Sequence, residues 1–186
     1  MKTIFDTFII ELIHDIPIYV YEILISVACV LICIFFIIYK WKKALRFSFR
    51  LLFWEYVILT YSNTTLFRPR VSDILHNFTP FWSYKEYYSG ENPNLLPEII
   101  MNIVGFVPLG FLLIAAFQKL KWWQVILTGF LISLSIESIQ YFFKLGVAEF
   151  DDIFNNTLGV AIGYSLYALT HYFLNKIRIN NSTLAS

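Results

Sequence analysis

Five stretches of this chain stay mainly apolar for about 20 residues, the length a helix needs to cross a lipid hydrocarbon core. They run over about Ile18–Tyr39, Phe49–Phe67, Glu98–Phe117 (which holds Pro108), Trp122–Phe143 and Ile153–Leu174. Ahead of them, Ile4, Phe5, Phe8, Ile9, Leu12, Ile13 and Ile16 recur at helical spacing, with Thr3, Thr7 and His14 opposite. That periodicity predicts an amphipathic helix lying on a membrane surface. The expected fold is therefore all-α: a polytopic membrane bundle of five transmembrane helices preceded by a short surface helix. The expected divisions are 1–17 for the surface helix, 18–48 for the first span and a basic loop, 49–175 for a four-helix membrane core, and 176–186 for a tail. The stretch from Arg68 to Pro97 is rich in Pro, Asn, Ser and Tyr and reads as a long loop with an interfacial turn.

Composition narrows the class. Of 186 residues, 58% are hydrophobic and only 15% are charged, with a formal net charge of +1. Soluble domains carry about 45–50% apolar and about 25% charged residues. The figures exclude a water-soluble domain, a disordered chain and a nucleic-acid binder. Aromatic residues make up 19%, which suits rings placed at membrane interfaces. The two cysteines, Cys29 and Cys33, sit four apart in one apolar run and read as small packing residues rather than a disulfide framework.

Charge orients the spans. Lys40, Lys42, Lys43, Arg46 and Arg50 lie between spans one and two, Lys119 and Lys121 between three and four, and Lys176 and Arg178 after five. These segments hold nine of the 14 basic residues and none of the 13 acidic ones. The positive-inside rule places them in the cytoplasm, with the N-terminus and the Arg68–Pro97 and Lys144–Asp152 loops outside.

Polar residues within the spans mark a candidate site, because ionisable groups at membrane depth are costly and usually functional. At about 1.5 Å per residue, Asn102, Gln140 and Asn156 all fall about 5–6 Å below the outer boundary, with Glu137 about 9 Å down. Glu137 and Gln140 are spaced i, i+3, and Asp152 and Asn156 i, i+4, so each pair shares a helix face. Below Asn156 that face continues through Gly159 and Gly163, a G-x-x-x-G seam where backbones can approach closely. Gly105 extends the Asn102 face in the same way. Carboxylates and amide oxygens are hard ligands, suited to a divalent cation held by Glu137 and Asp152, or equally to an ammonium group. Arg68, Arg70 and Lys144 are the cations placed to reach inward. Glu55 lies toward the opposite side and reads as structural, beside Arg50.

Nucleophile motifs, histidine metal spacings and Gly-rich phosphate cradles are absent. His14, His76 and His171 fall on both sides of the membrane, and only His76 is placed near the cluster. Two readings stay open. One is a non-enzymatic protein that engages membrane lipids or lipid-linked cell-wall precursors at the outer leaflet. The other is an intramembrane enzyme that uses the paired carboxylates, with or without metal, on a lipid or lipid-linked sugar. A small transporter ranks last, because five spans are few and no internal repeat appears. The sequence does not set the oligomeric state.

The polar residues carry a family resemblance. Asn77-Phe78-Thr79-Pro80-Phe81 is followed by Asn102 with Phe106, Pro108, Leu109 and Gly110, then by Glu137 with Ile139 and Gln140. Asp152, Asn156, Thr157, Gly159 and Gly163 close the series. In order and spacing this resembles the VanZ-like family of small bacterial membrane proteins, over about residues 49–172. The resemblance implies reduced susceptibility to teicoplanin-type lipoglycopeptide antibiotics, and it leaves the biochemical activity open. Many members carry an arginine in the loop before the motif aspartate; here that loop has only Lys144.

Overall fold

A computed structural model of the chain describes residues 42–66, 68, 70–73 and 75–183, with three isolated positions at 27, 31 and 34. The expected surface helix over residues 4–16, the first span and Cys29 and Cys33 lie outside the described residues. The chain divides into two compact units, Met1–Leu45 and Arg46–Ser186. The architecture below is that of the second.

Helix α1 (Lys42–Tyr61) runs into a π-helical turn over Ser62–Leu66. Strand β1 (Leu75–Asn77), helix α2 (Trp82–Ser89) and helix α3 (Leu95–Ala116) follow. Helix α4 (Trp122–Phe143), strand β2 (Val147–Glu149) and helix α5 (Phe150–Thr183) complete the order. The bounds of α4 coincide with those expected. Its start is closed by Gln124, whose side-chain oxygen accepts from the Lys121 amide at 2.8 Å. The last helix runs past Leu174 to Thr183, through most of the expected tail. Between Gly163 and Thr183 there is no glycine or proline to stop it.

Two described helices, α3 and α4, are long and apolar enough to cross a membrane by length and composition. Their outward faces fit that reading. Ile100, Met101 and Val104 on α3, and Leu127, Phe130, Leu131 and Leu134 on α4, are exposed at helical spacing. Such contiguous apolar faces are a liability in water and ordinary in lipid.

The bundle is held by α3 lying against α5, with α4 packed on α5 from another side. In lipid no hydrophobic force drives helices together, so close van der Waals fit must do it. The fit is close. A Cβ added at Gly159 would fall 2.2 Å from the Ile103 carbonyl oxygen, and one at Gly163 would fall 2.0 Å from that of Val107. From the other side, a Cβ at Gly110 would fall 2.1 Å from the Val160 carbonyl oxygen. Gly129 of α4 faces the Val160 side chain, at 2.5 Å from a methyl carbon. The seam expected at Gly159 and Gly163 is thus present, but Gly105 is not part of it. A Cβ there would meet nothing within 4 Å. Instead the Gly105 carbonyl accepts from the Tyr56 hydroxyl at 2.6 Å, which ties α1 to α3. Arg50, expected beside Glu55, instead donates to the Ala116 carbonyl at 3.4 Å and lies over the Phe117 ring.

The all-α expectation fails at one place. Strands β1 and β2 form a two-stranded parallel sheet, with Leu75 opposite Val147, His76 opposite Ala148 and Asn77 opposite Glu149. Each strand has three residues, too short for its alternation to be visible in sequence. The expected loop also contains α2, eight residues rich in Trp and Tyr.

Candidate functional site

The start of α3, the end of α4 and the start of α5 meet at one end of the bundle. There, Asn102 Nδ2 donates to Asp152 Oδ1 at 2.5 Å, joining α3 to α5. Asn156, one turn along α5, donates to Ser133 Oγ on α4 at 2.9 Å. One turn from Ser133, Glu137 accepts the backbone N–H of Glu149 at 3.0 Å and so holds the end of β2. Gln140 donates to the Thr64 carbonyl of the π-helical turn at 3.0 Å. That bond answers one of the carbonyls a helix end leaves without a partner.

All five expected residues therefore lie at one polar end, but only Asn102 and Asp152 bond to each other. The others each hold a different neighbour. Glu137, Gln140 and Asn156 are nearly inaccessible, at 4%, 2% and 4% exposure. Glu137 and Asp152 are close enough to repel each other electrostatically.

Of the three expected cations, Arg68 is the one that reaches this end. Its charge acts on both Glu137 and Asp152. Its guanidinium lies against Gly146, where an added Cβ would sit 2.8 Å from an Arg68 Nη. Gly146 has φ +140°, a backbone conformation open to glycine and strained for other residues. Arg68, from another segment, is thus laid on the loop before Asp152, which holds no arginine of its own. Lys144 turns away: its Nζ donates to the Ser72 carbonyl at 2.9 Å, and its own carbonyl accepts from Val71 N at 2.8 Å. Arg70 is exposed, with no hydrogen bond to another described residue. Pro108 is half-buried within α3, and Gly159 and Gly163 lie on the α3–α5 seam.

Several residues at this end escaped the sequence reading. Asp151 is fully buried and accepts three hydrogen bonds from the start of α2. These come from Phe81 N at 2.6 Å, Ser83 N at 2.9 Å and Ser83 Oγ at 2.6 Å. Together they hold Phe81 at φ 59°, an uncommon conformation for a bulky residue that costs about 1–3 kcal/mol. Asn155 accepts from the Tyr84 hydroxyl at 2.5 Å, and Glu149 accepts from Trp82 Nε1 at 3.2 Å. The signal was present: Asp151 and Asn155 repeat the i, i+4 spacing of Asp152 and Asn156 one residue earlier. Adjacent helix positions differ by about 100°, so the first pair faces α2 and the second faces α3 and α4. Burial, and then the Asp152 charge, push Glu149 up to about 7 from an ordinary 4.5.

Three buried amide atoms at this end lack a hydrogen-bond partner, one donor (Asn155 Nδ2) and two acceptors (Gln140 Oε1 and Asn156 Oδ1). Among the described residues, no group of three or more His, Cys, Asp or Glu side chains converges as a metal ion would need.

Apolar helices long enough to cross a membrane, joined at one end by an Asn–Asp bond, an E-x-x-Q pair and a glycine seam, define the class. The chain belongs to the VanZ/LLP1 family, whose model matches residues 23–171. Proteins of this family are membrane proteins, as the two apolar helices fit. One relative is the protein VanZ of Enterococcus faecium, 30% identical over 83 residues that make up 45% of this chain and 52% of that protein. The chain spans about half the length of that relative. No solved structure matches.

Proposed function

We propose that this is a five-span membrane protein, N-terminus outside and C-terminus in the cytoplasm, that acts at the outer leaflet of the bacterial cytoplasmic membrane. It engages lipid-linked envelope molecules there and lowers susceptibility to teicoplanin-type lipoglycopeptides. The orientation rests on the basic segments, which put the polar end outside. The observation that carries the reading is the acceptor-rich polar end itself. Two carboxylates and two unpartnered amide oxygens are gathered where three helices begin or end. Family membership supports the link to glycopeptide susceptibility.

The test is susceptibility in a sensitive host expressing the wild type, Glu137→Gln or Asp152→Asn, with membrane insertion checked for each. The wild type should protect against teicoplanin and leave vancomycin unaffected, and both variants should insert and lose the protection. A wild type that protects against neither drug overturns the reading.

A further inference from the structure

The acceptors at the polar end call for a particular ligand. Amide carbonyls and carboxylate oxygens accept hydrogen bonds and cannot donate them. Asn156 reaches across from α5 to Ser133, one turn from Glu137 on α4, so its amide group lies between those helices. Its Oδ1 and Gln140 Oε1 are buried without a partner, a condition that costs about 1–3 kcal/mol per group. Glu137 gives one oxygen to Glu149 N and Asp152 gives Oδ1 to Asn102, and each carboxylate has a second oxygen. A group that presents several N–H donors and a positive charge matches this set. A primary ammonium has three donors and one charge.

Arg68 adds the opposite requirement. Its residue is exposed, and its guanidinium lies on the Gly146 backbone. Its charge is felt by Glu137 and Asp152, yet among the described residues it makes no hydrogen bond or ion pair with either. An exposed guanidinium beside these acidic residues, with no direct pairing to either among the described residues, is available to a phosphate, whose geometry its fork of donors matches.

Building on the proposed outer-leaflet role, we propose that the polar end is a headgroup site for a lipid that carries a primary amine a few bonds from a phosphodiester. The ammonium sits among Glu137, Asp152 and the Asn156 and Gln140 carbonyls, and the phosphate sits on Arg68. A headgroup with phosphate alone meets the carboxylates and is repelled. A quaternary amine brings charge but no N–H donor.

The test uses the full chain in nanodiscs of mixed phosphatidylethanolamine, phosphatidylcholine and phosphatidylglycerol, with native mass spectrometry of the lipid it retains. Phosphatidylethanolamine should be enriched about tenfold over each of the others. Asp152→Asn and Arg68→Gln should each abolish the enrichment, while Arg68→Lys should keep part of it. Arg68 is exposed, so its variants test binding without disturbing the packed core. Equal retention of the three lipids, or enrichment that survives in both Asp152→Asn and Arg68→Gln, overturns the site. Water-soluble glycerophosphoethanolamine separates the sources of this chemistry. Competition by it supports recognition of the headgroup alone, and enrichment that it fails to displace supports recognition of the lipid. Loss of teicoplanin protection in Glu137→Gln and Asp152→Asn with no lipid preference would sink this site and leave the proposed role standing. Lipid preference without protection would do the reverse.

Discussion

The α3–α5 seam and the polar end where those two helices meet α2 and α4 are built by opposite means. At the seam, Gly159, Gly163 and Gly110 put backbone against backbone, each nearest to a peptide carbonyl of the facing helix. At the polar end the contacts are made by side chains, Asn102 to Asp152 and Asp151 to α2, with geometry set by hydrogen bonds. The seam tolerates no added atom, because what it would strike is a peptide carbonyl that cannot turn aside. The polar end is sensitive to charge and donor count, and volume matters less there. Fit is thus separated from chemistry along one helix pair.

The largest effect should come from breaking the seam. Gly163→Ala is expected to cost about 3 kcal/mol or more, since overpacking a tight contact costs about 1–3 kcal/mol and here the backbone is struck. Gly105→Ala, where nothing lies within 4 Å, should be neutral or slightly stabilising. Thermal unfolding of both in detergent checks this, and equal losses would erase the distinction.

A smaller effect is expected at the polar end. Asp151→Ala leaves two amides and a hydroxyl of α2's start without their acceptor, at a cost of about 1–3 kcal/mol. Hydrogen exchange should rise at the Phe81 and Ser83 amides while the α3–α5 seam stays protected. Uniform deprotection across both regions would contradict the separation.

The smallest effect is pH-dependent and belongs to the polar end alone. Glu149 titrates near 7 when folded and at an ordinary 4.5 when unfolded. A raised folded value means that its stabilising contribution is fully present below pH 4.5. That contribution is lost as pH rises through about 7. The melting temperature should therefore decline across this window, and Glu149→Gln should flatten the decline. A slope unchanged in that variant would assign the effect elsewhere.

The apolar periods were legible because 3.6-residue spacing survives any partner, so α4 coincides with its expected bounds. The five candidate residues lie at one end of the bundle, a grouping that counting residues along the helices makes visible. Their individual partners were not legible. Gln140 bonds a carbonyl of a π-helical turn 76 positions away, and Glu137 bonds an amide of a three-residue strand; neither element has a sequence period. In sequence Arg68 is indistinguishable from the other two cations, Arg70 and Lys144, because nothing there says that Gly146 brings a distant arginine onto its backbone. Asp151 is hidden in sequence by its neighbour Asp152, yet a rotation of about 100° sends it to a different helix.

Val160 has a consequence for how this family can vary. Gly110 meets its backbone and Gly129 meets its methyl groups, so three helices share one residue. A methyl gained at position 129 is a conflict between two side chains, and shortening Val160 to alanine can resolve it. A methyl gained at position 110 meets the peptide itself, and no choice of residue at 160 makes room. The two glycines therefore differ in their epistasis: one is free to drift in concert with its neighbour, and the other is fixed for as long as these helices touch.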